Sequence, residues 1–165
     1  MSAAVHLERW SAGDHALLTA LNGDEAQMAH VGGAETAAKI ADRQARYAAD
    51  PRQFRIVDDA TGAGAGWVGF WERAWRGATV YEIGWSVLPA FQGRGLASAA
   101  TALAIAQARR TGRGAIAAVH AFPGVDNAPS NAVCRRVGFE LVEADMTFEY
   151  PPGTMMVCND WRLAL

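Results

Sequence analysis

The apolar and polar positions change their period along the chain, and each change predicts a different kind of element. Residues Val5 to Glu8 alternate, which predicts a short strand. A first helix is predicted after Ser11 and Asp14, which resemble a capping pair. We expect it to end at the Asn-Gly pair at residues 22–23, because both residue types tolerate the left-handed conformation. A second helix is predicted from Ala34 to Ala48, where apolar residues recur at helical spacing.

The middle of the chain has the composition and spacing of strands. We predict strands from Phe54 to Val57, from Trp67 to Trp71 and from Thr79 to Val87. The glycine-rich segment 61–66 and a turn at residues 76–77 separate them, so we expect an antiparallel meander.

The last part of the chain alternates helix and strand and then ends in a hairpin. The predicted elements are a helix at 96–110, a strand at 115–121, a helix at 130–137 that Gly138 ends, and strand-like segments at 146–150 and 155–163 around a turn at 151–153. This order predicts one domain over residues 1–165, of the α/β (α+β) three-layer class rather than a doubly wound sheet.

Composition and charge narrow the functional classes. A net charge of −2 on 165 residues gives no reason to expect non-specific binding to nucleic acid. The most apolar helical stretch, residues 97–108, is broken by polar side chains, so no membrane partner is expected. The two cysteines, Cys134 and Cys158, lack metal-ligand spacing, and the N-terminus lacks an export signal. We therefore expect a cytoplasmic protein with no metal.

The strongest candidate for chemistry is the loop from Gln92 to Ser98, which joins a predicted strand to a predicted helix. Unpaired N–H groups and the dipole at a helix start favour an anion, Gly93 and Gly95 would let the backbone approach it, and Arg94 could add a charge. The glycines also imitate a dinucleotide fingerprint, but helices and a meander precede them and the acidic residue expected about 20 residues later is missing. A merely structural helix start is the other alternative.

Two motifs resemble those of the GNAT superfamily of N-acetyltransferases. The run Val87-x-Pro89-x-x-Gln92-Gly93-Arg94-Gly95-Leu96-Ala97 resembles the family's acetyl-CoA signature, Q/R-x-x-G-x-G/A. Asn127-x-x-Ser130, followed by Val137-Gly138-Phe139, resembles its second block. The resemblance covers nearly the whole chain and is closest to the branch that includes ribosomal-protein N-terminal acetyltransferases.

This resemblance implies a mixed, mostly antiparallel central sheet with helices on both faces, and acetyl-CoA as co-substrate. The backbone of Trp85, Ser86 and Val87 would pair with the pantetheine arm. The pyrophosphate would lie on the loop and first helical turn, made of Gln92, Gly93, Arg94, Gly95, Leu96, Ala97 and Ser98. Asn127 would contact the cofactor arm, although a helix N-cap is an equal interpretation.

Acyl transfer to an amine also requires a base, because an amine with a pKa near about 10 is mostly protonated at neutral pH. Glu82 is the leading candidate, although strand alternation places it on the face opposite Trp85 and Val87, and a structural ion pair is the alternative. His120 is the second candidate, with a satisfied structural histidine as its alternative. Cys134 stands where many relatives carry the tyrosine that protonates the leaving thiolate; its spacing favours a buried packing residue instead.

The resemblance implies a primary amine of a small molecule or of a protein N-terminus as the acceptor, and the sequence does not choose between them. Trp71, Trp75 and Trp85 are expected to flank its side of the cleft. A non-catalytic acyl-CoA-binding module is the alternative function. Acyl chain length and oligomeric state stay open, with a homodimer among the alternatives.

Overall fold

Seven strands and four α-helices make up the part of the chain described by the structure, a computed structural model that covers residues 4–149 and 152–165. The strands are β1 Val5–Arg9, β2 Gln53–Asp58, β3 Ala63–Trp75, β4 Ala78–Val87, β5 Ala118–Ala121, β6 Glu140–Glu149 and β7 Met155–Ala164. The helices are α1 His15–Asn22, α2 Ala37–Ala49, α3 Leu96–Gly112 and α4 Ala128–Val137. Short 3-10 turns at Ala12–Asp14 and Pro89–Phe91 precede α1 and α3.

All the strands join one mixed sheet in the order β1-β2-β3-β4-β5-β7-β6. Strands β1 to β4 form the predicted antiparallel meander, and a tight turn with positive φ at Arg76 and Gly77 connects β3 to β4. Only the β4–β5 pair is parallel, because α3 carries the chain back across one face of the sheet before β5 begins. The mostly antiparallel mixed sheet is therefore confirmed.

Helices cover both faces of the sheet, which confirms the three-layer class. On one face Tyr81, Ile83 and Val87 of β4 belong to the main core together with the small side chains of α3. On the other face Trp67 of β3 stacks on Tyr47 of α2, with ring centroids 5.0 Å apart. Strand alternation thus separates one layer, which holds α3, from the opposite layer, which holds α1 and α2.

The local signals at the start of the chain are confirmed. Ser11 and Asp14 form a full capping box at the turn before α1. Gly23 ends α1 as predicted, but its φ is −88°, so the helix ends without the left-handed conformation that the pair tolerates. Glycine is required there for space, because a Cβ would lie 2.7 Å from the carbonyl oxygen of Thr19.

Several element boundaries differ from the prediction. The glycine-rich segment predicted as a loop is the start of β3, where Gly64 and Gly66 lie in the strand at a β-bulge. Thr36 caps α2, so the helix starts later than the spacing of its alanines suggested. β5 is shorter than predicted and β6 begins earlier, directly after Gly138 ends α4 and Phe139 enters the core. The predicted end of β6 at Tyr150 and the following Pro151 lie outside the described residues.

Within residues 4–149 and 152–165, no helix combines the length and the apolar character needed to cross a membrane.

Candidate active site

An opening in the sheet separates β4 from β5. The two strands pair at only two positions, and the last pair joins Glu82 to His120. β4 continues to Val87, whereas the chain after β5 turns toward β7, where Gly124 bridges Cys158. Beyond Glu82, this edge of β4 has no strand partner within the described part of the chain. An extended ligand with amide groups can add to such an edge as a further strand would.

The glycine loop lies where this opening meets the start of α3. Gly93 and Gly95 have φ of +73° and +80°, a region that glycine enters without strain. No side chain caps α3, and its first hydrogen bond runs from Ala99 N to Gly95 O. The N–H groups of residues 96–98 therefore have no partner inside the helix. Together with the helix dipole they form a ready site for a phosphate.

Ser98 provides an independent observation at the same place. It occupies the first turn of α3, and its Oγ is buried without a hydrogen-bond partner among the described residues. A buried hydroxyl without a partner is costly, and such groups are commonly satisfied by a ligand or water. The Cβ position of Gly93, on the same loop, has no atom within 4 Å, so the loop is open to a ligand. The chemistry of the loop fits a pyrophosphate.

Arg94 is less available than its position in the motif suggests. Its guanidinium donates to Asp58 Oδ1 at 2.9 Å and lies over the ring of Phe91. Burial raises the pKa of Asp58, but hydrogen bonds from Thr61 and Arg94 outweigh it and hold that pKa below its ordinary value. The positive charge stays next to the loop, although a carboxylate already neutralises part of it.

Gln92 forms hydrogen bonds inside the protein, and the sequence analysis missed its partner. The amide nitrogen of Gln92 donates to the carbonyl of Val87 at 2.9 Å and to Gln27 Oε1 at 3.1 Å. Gln27 lies between α1 and α2 and donates to the same carbonyl at 2.6 Å and to Ser86 Oγ at 3.2 Å. This pair of glutamines fixes the end of β4. Nothing in the local sequence around Gln27 signals that contact.

Asn127 serves as the N-cap of α4. Its side-chain oxygen accepts a hydrogen bond from Ser130 N at 3.2 Å, as in the structural interpretation of this residue. Buried Asn131 extends the same junction, since its amide nitrogen donates to the carbonyls of Gly124 and Asn127. These contacts attach the chain after β5 to the start of α4.

Glu82 lies at the narrow end of the opening, on the face away from the main core. The β3–β4 register contains no bulge, so the alternation that places Glu82 opposite Trp85 and Val87 is retained. Its Oε2 accepts a hydrogen bond from Arg73 Nη1 at 2.6 Å, and the pair is mostly buried. Glu82 is thus both an ion-pair partner and a neighbour of the opening.

His120 shares that face and is held by a residue that the sequence analysis did not select. Its Nδ1 lies 2.6 Å from Asp160 Oδ1, and the second oxygen of Asp160 accepts from Trp75 Nε1 at 3.1 Å. His120 is 5% exposed and Asp160 is fully buried. Asp160 lies 40 positions from His120 in the sequence, so only the adjacency of β5 and β7 brings them together.

A cavity of about 280 Å³ opens beside this cluster. Its walls are formed by residues of β4 to β7 and of the β3–β4 turn. The lining residues that bear on the chemistry are Trp75, Val80, His120, Asp160 and Arg162. It lies on the side of the Glu82–His120 pair where β4 and β5 are joined, and its β4 lining residues come before Glu82 in the strand.

Cys134 lies in the main core and not in the opening. It is fully buried, and burial raises the pKa of its thiol to about 12. A thiol with so high a pKa is a weak acid, so its position favours the packing role. Cys158 is also fully buried, and burial raises its pKa to about 11.

The three selected tryptophans do not form one group, which corrects the predicted aromatic side of the cleft. Trp71 and Trp75 project from β3 on the face of Glu82, where Trp75 contacts the ring of Phe122 with a centroid distance of 4.9 Å. Trp85 packs against the main core on the opposite face. The reason is the two-residue period of the strands, which places Trp85 out of phase with the pair on β3.

No group of three or more metal-ligating side chains occurs among the described residues, 4–149 and 152–165.

Comparisons with known proteins agree with this geometry. Residues 5–140 match the acetyltransferase (GNAT) domain family. The mycothiol acetyltransferase of Mycolicibacterium gilvum (strain PYR-GCK) is 36% identical over 121 residues, which is 70% of this chain. This chain spans only 39% of the length of that relative.

Solved structures share the fold over nearly the full chain. The spermidine N-acetyltransferase of Vibrio cholerae, solved with CoA and spermine, has a TM-score of 0.76 at 17% identity, covering 97% of this chain and 95% of that one. The yncA protein of Salmonella typhimurium, solved with acetyl-CoA, has a TM-score of 0.76 at 23% identity, covering 98% and 94%. An acetyltransferase from Salmonella typhimurium that modifies the N-terminal serine of ribosomal protein L7/L12 has a TM-score of 0.73 at 20% identity, covering 99% and 96%.

Proposed function

The chain belongs to the GNAT acetyltransferase family, and on that premise we propose that it is an acyl-CoA-dependent N-acyltransferase that moves an acetyl group from acetyl-CoA to a primary amine. The observation that carries the proposal is the opening between β4 and β5, which leads directly to the uncapped start of α3. One part of this site accepts an extended amide chain and the other accepts a pyrophosphate. CoA carries both groups.

Each part of the cofactor has residues that would hold it. The free edge of Trp85, Ser86 and Val87 would bind the pantetheine arm, and Gln27 keeps that edge in place. The N–H groups of Gly93 to Ser98 and the Ser98 hydroxyl would bind the pyrophosphate. Arg94 would contribute its charge from beside the loop, while Asn127 would act through α4.

The chemistry needs a neutral amine next to the thioester carbonyl. When bound, acetyl-CoA supplies the activated acyl group. The residues on the opposite face would then take a proton from the acceptor's ammonium group, and both Glu82 and His120 lie at the narrow end of the opening where that proton is released. The thiolate would leave with a proton from solvent or from the protonated base, because the buried Cys134 is poorly placed to provide one.

The acceptor is proposed only as a primary amine of a small molecule or of a protein N-terminus. The similar proteins are named for chemically different compounds, mycothiol in one case and spermidine in the other. A thiol-release assay with acetyl-CoA and a panel of amines would choose among the classes: a polyamine, an aminoglycoside, an amino acid and a peptide with a free N-terminus. Binding of CoA without thiol release for any amine would favour a non-catalytic module.

A pair of matched glycine variants tests the cofactor site. Gly95 and Gly114 have φ of +80° and +81° and flank opposite ends of α3, so an alanine at either costs similar backbone strain, about 1–2 kcal/mol. Only at Gly95 would the added methyl group also obstruct the phosphate. We expect Gly95→Ala to weaken CoA binding in calorimetry at least about tenfold, or 1.4 kcal/mol, and Gly114→Ala to leave it unchanged. Equal CoA affinities in the two folded variants would contradict the proposal.

A further inference from the structure

We propose that His120 is the base that takes the proton from the acceptor amine, and that Asp160 is the residue that positions it. This inference rests on the proposed acyltransferase function and assigns a role to Asp160, a buried carboxylate on β7. The supporting observation is the connected set Trp75–Asp160–His120, which lines a cavity and places His120 in the last residue pair before β4 and β5 separate.

Geometry determines which nitrogen of His120 is free. A carboxylate oxygen only accepts hydrogen bonds, so the 2.6 Å contact with Asp160 requires the proton to be on Nδ1 of a neutral His120. Trp75 occupies the second oxygen of Asp160 with its indole N–H, which prevents the carboxylate from rotating. The lone pair of Nε2 is then available. Within the described part of the chain, Nε2 forms no hydrogen bond. It is also not one of the fully buried polar atoms that lack a hydrogen-bond partner.

The position of His120 in the sheet links this nitrogen to the reaction. His120 and Glu82 form the last pair before β4 and β5 separate, so both residues lie at the point where the free edge begins. The His120 ring also stacks on Phe122, with ring planes 16° apart, which limits its rotation. His120 also lines the cavity of about 280 Å³, which has room for a water molecule or a small amine beside the ring.

Of the two candidate bases, Glu82 is held in an ion pair, whereas His120 keeps one ring nitrogen that can take a proton. Asp160 faces it from β7, and Arg162, its register partner on the same strand, lines the same cavity. Glu82 faces it from β4, but Arg73 of β3 holds that carboxylate in a 2.6 Å hydrogen bond. Protonating Glu82 would break this ion pair. Asp160, in contrast, keeps its hydrogen bond from Nδ1–H whether or not Nε2 carries a proton.

His120 carries one proton in the proposed acyl transfer. Nε2 takes one proton from the acceptor's ammonium group, directly or through one water molecule, and His120 becomes an imidazolium. The neutral amine attacks the thioester carbonyl, a C–N bond forms, the C–S bond breaks, and CoA leaves as a thiolate. The imidazolium returns its proton to the thiolate or to solvent, and the amide loses its second proton to solvent. An imidazole suits this task because it exchanges protons near neutral pH.

The test is Asp160→Asn, compared with Asp14→Asn. An asparagine has the shape of aspartate, but its NH2 group can donate a hydrogen bond to Nδ1. The proton of neutral His120 then lies on Nε2, and that nitrogen can no longer accept a proton from the amine. Asp14 is a second buried carboxylate, paired with Ser11 and Arg55 far from the opening, so its variant undergoes the same chemical change without touching His120. With acetyl-CoA and the best acceptor of the amine panel, we expect Asp160→Asn to lower kcat by about 10²–10⁴ while KM for acetyl-CoA is kept. Asp14→Asn should keep the wild-type kcat per folded molecule.

A spectroscopic measurement on the wild-type protein keeps the inference testable if Asp160→Asn does not fold. Long-range nitrogen NMR of the four histidines, with His120 assigned by its loss in His120→Gln, reports which ring nitrogen carries the proton. We expect the proton on Nδ1. A proton on Nε2, or a kcat of folded Asp160→Asn within about threefold of wild type, would overturn the inference. A wild-type protein that releases no thiol with any amine would overturn the proposed function itself, before any variant is compared.

Discussion

At the scale of single residues, Ser98 is informative because its buried hydroxyl has no partner among the described residues and sits where the pyrophosphate is proposed to bind. Thr101, one turn later on α3, is the opposite case. Its hydroxyl donates to the carbonyl of Ala97 at 2.7 Å and is therefore satisfied by the protein alone. The Ser98 hydroxyl is therefore the candidate for ligand binding, whereas the Thr101 hydroxyl contributes to stability.

We predict that Ser98→Ala keeps or raises the melting temperature and weakens CoA binding about 10- to 100-fold. Removing an unpaired buried hydroxyl relieves a cost, whereas a hydrogen bond to a charged phosphate contributes about 1.5–3 kcal/mol. Thr101→Val should do the reverse, with a lower melting temperature and unchanged affinity. Thermal unfolding and calorimetry measure both quantities. If Ser98→Ala lost stability without losing affinity, the hydroxyl would have a structural partner.

At the scale of elements, the contact between β3 and β4 shapes the free edge on which the cofactor arm is proposed to lie. Gly66 of β3 pairs with Val87, and a Cβ at Gly66 would run into the carbonyl oxygen of Ser86 and lie 3.0 Å from Val87 Cα. Both obstacles are backbone atoms and cannot swing aside. Gly64, two residues earlier, is crowded only by the flexible side chains of Leu17 and Arg55.

We predict that Gly66→Ala lowers the free energy of unfolding by about 3 kcal/mol, and that Gly64→Ala lowers it by less than about 1 kcal/mol. The first variant must separate two paired strands, and the second only shifts side chains. Urea unfolding of both proteins gives the comparison. Because Ser86 and Val87 belong to the free edge, folded Gly66→Ala should also bind CoA more weakly. Similar unfolding midpoints would show that the β-bulge absorbs the extra methyl group.

At the scale of the whole molecule, the burial of Cys134 in the main core makes the free energy of unfolding depend on pH in alkaline solution. Burial raises the pKa of this thiol from 9.0 to about 12. The folded protein therefore keeps a proton that the unfolded chain releases above pH 9. A raised pKa contributes stability that is fully present below the unfolded value and is lost as pH rises through the folded value, so this contribution declines between pH 9 and about 12.

We predict that Cys134→Ala costs about 1–2 kcal/mol of stability at pH 7 and that this loss shrinks by about 1.4 kcal/mol at pH 10. Val133→Ala, a change at the neighbouring buried side chain without a titrating group, should cost the same at both pH values. Urea unfolding at the two pH values measures the difference. Turnover per folded molecule should stay near wild type in Cys134→Ala. A hundredfold fall in turnover would instead assign the thiol a direct part in the reaction.

The sequence by itself determined the order of elements, the meander, the class of the fold and the place of the glycine loop. These features are local in origin. Strand alternation, the capping box at Ser11 and Asp14, and the helix-ending Gly138 each act over a few residues, so they can be recognised without the fold. The motif around Gly93 and Gly95 is equally local.

Only the tertiary structure decided which distant side chains meet. Asp160 contacts His120, 40 residues away in the sequence, because β7 lies beside β5 in the sheet. It contacts Trp75, 85 residues away, because the long indole side chain extends from β3 past two strands. The burial of Cys134 depends likewise on how α4 packs into the core. Local periodicity determines the face on which a side chain lies, but it carries no information about strand order. The pairing of Asp160 with His120, on which the proposed base depends, therefore follows from strand order and not from any sequence motif.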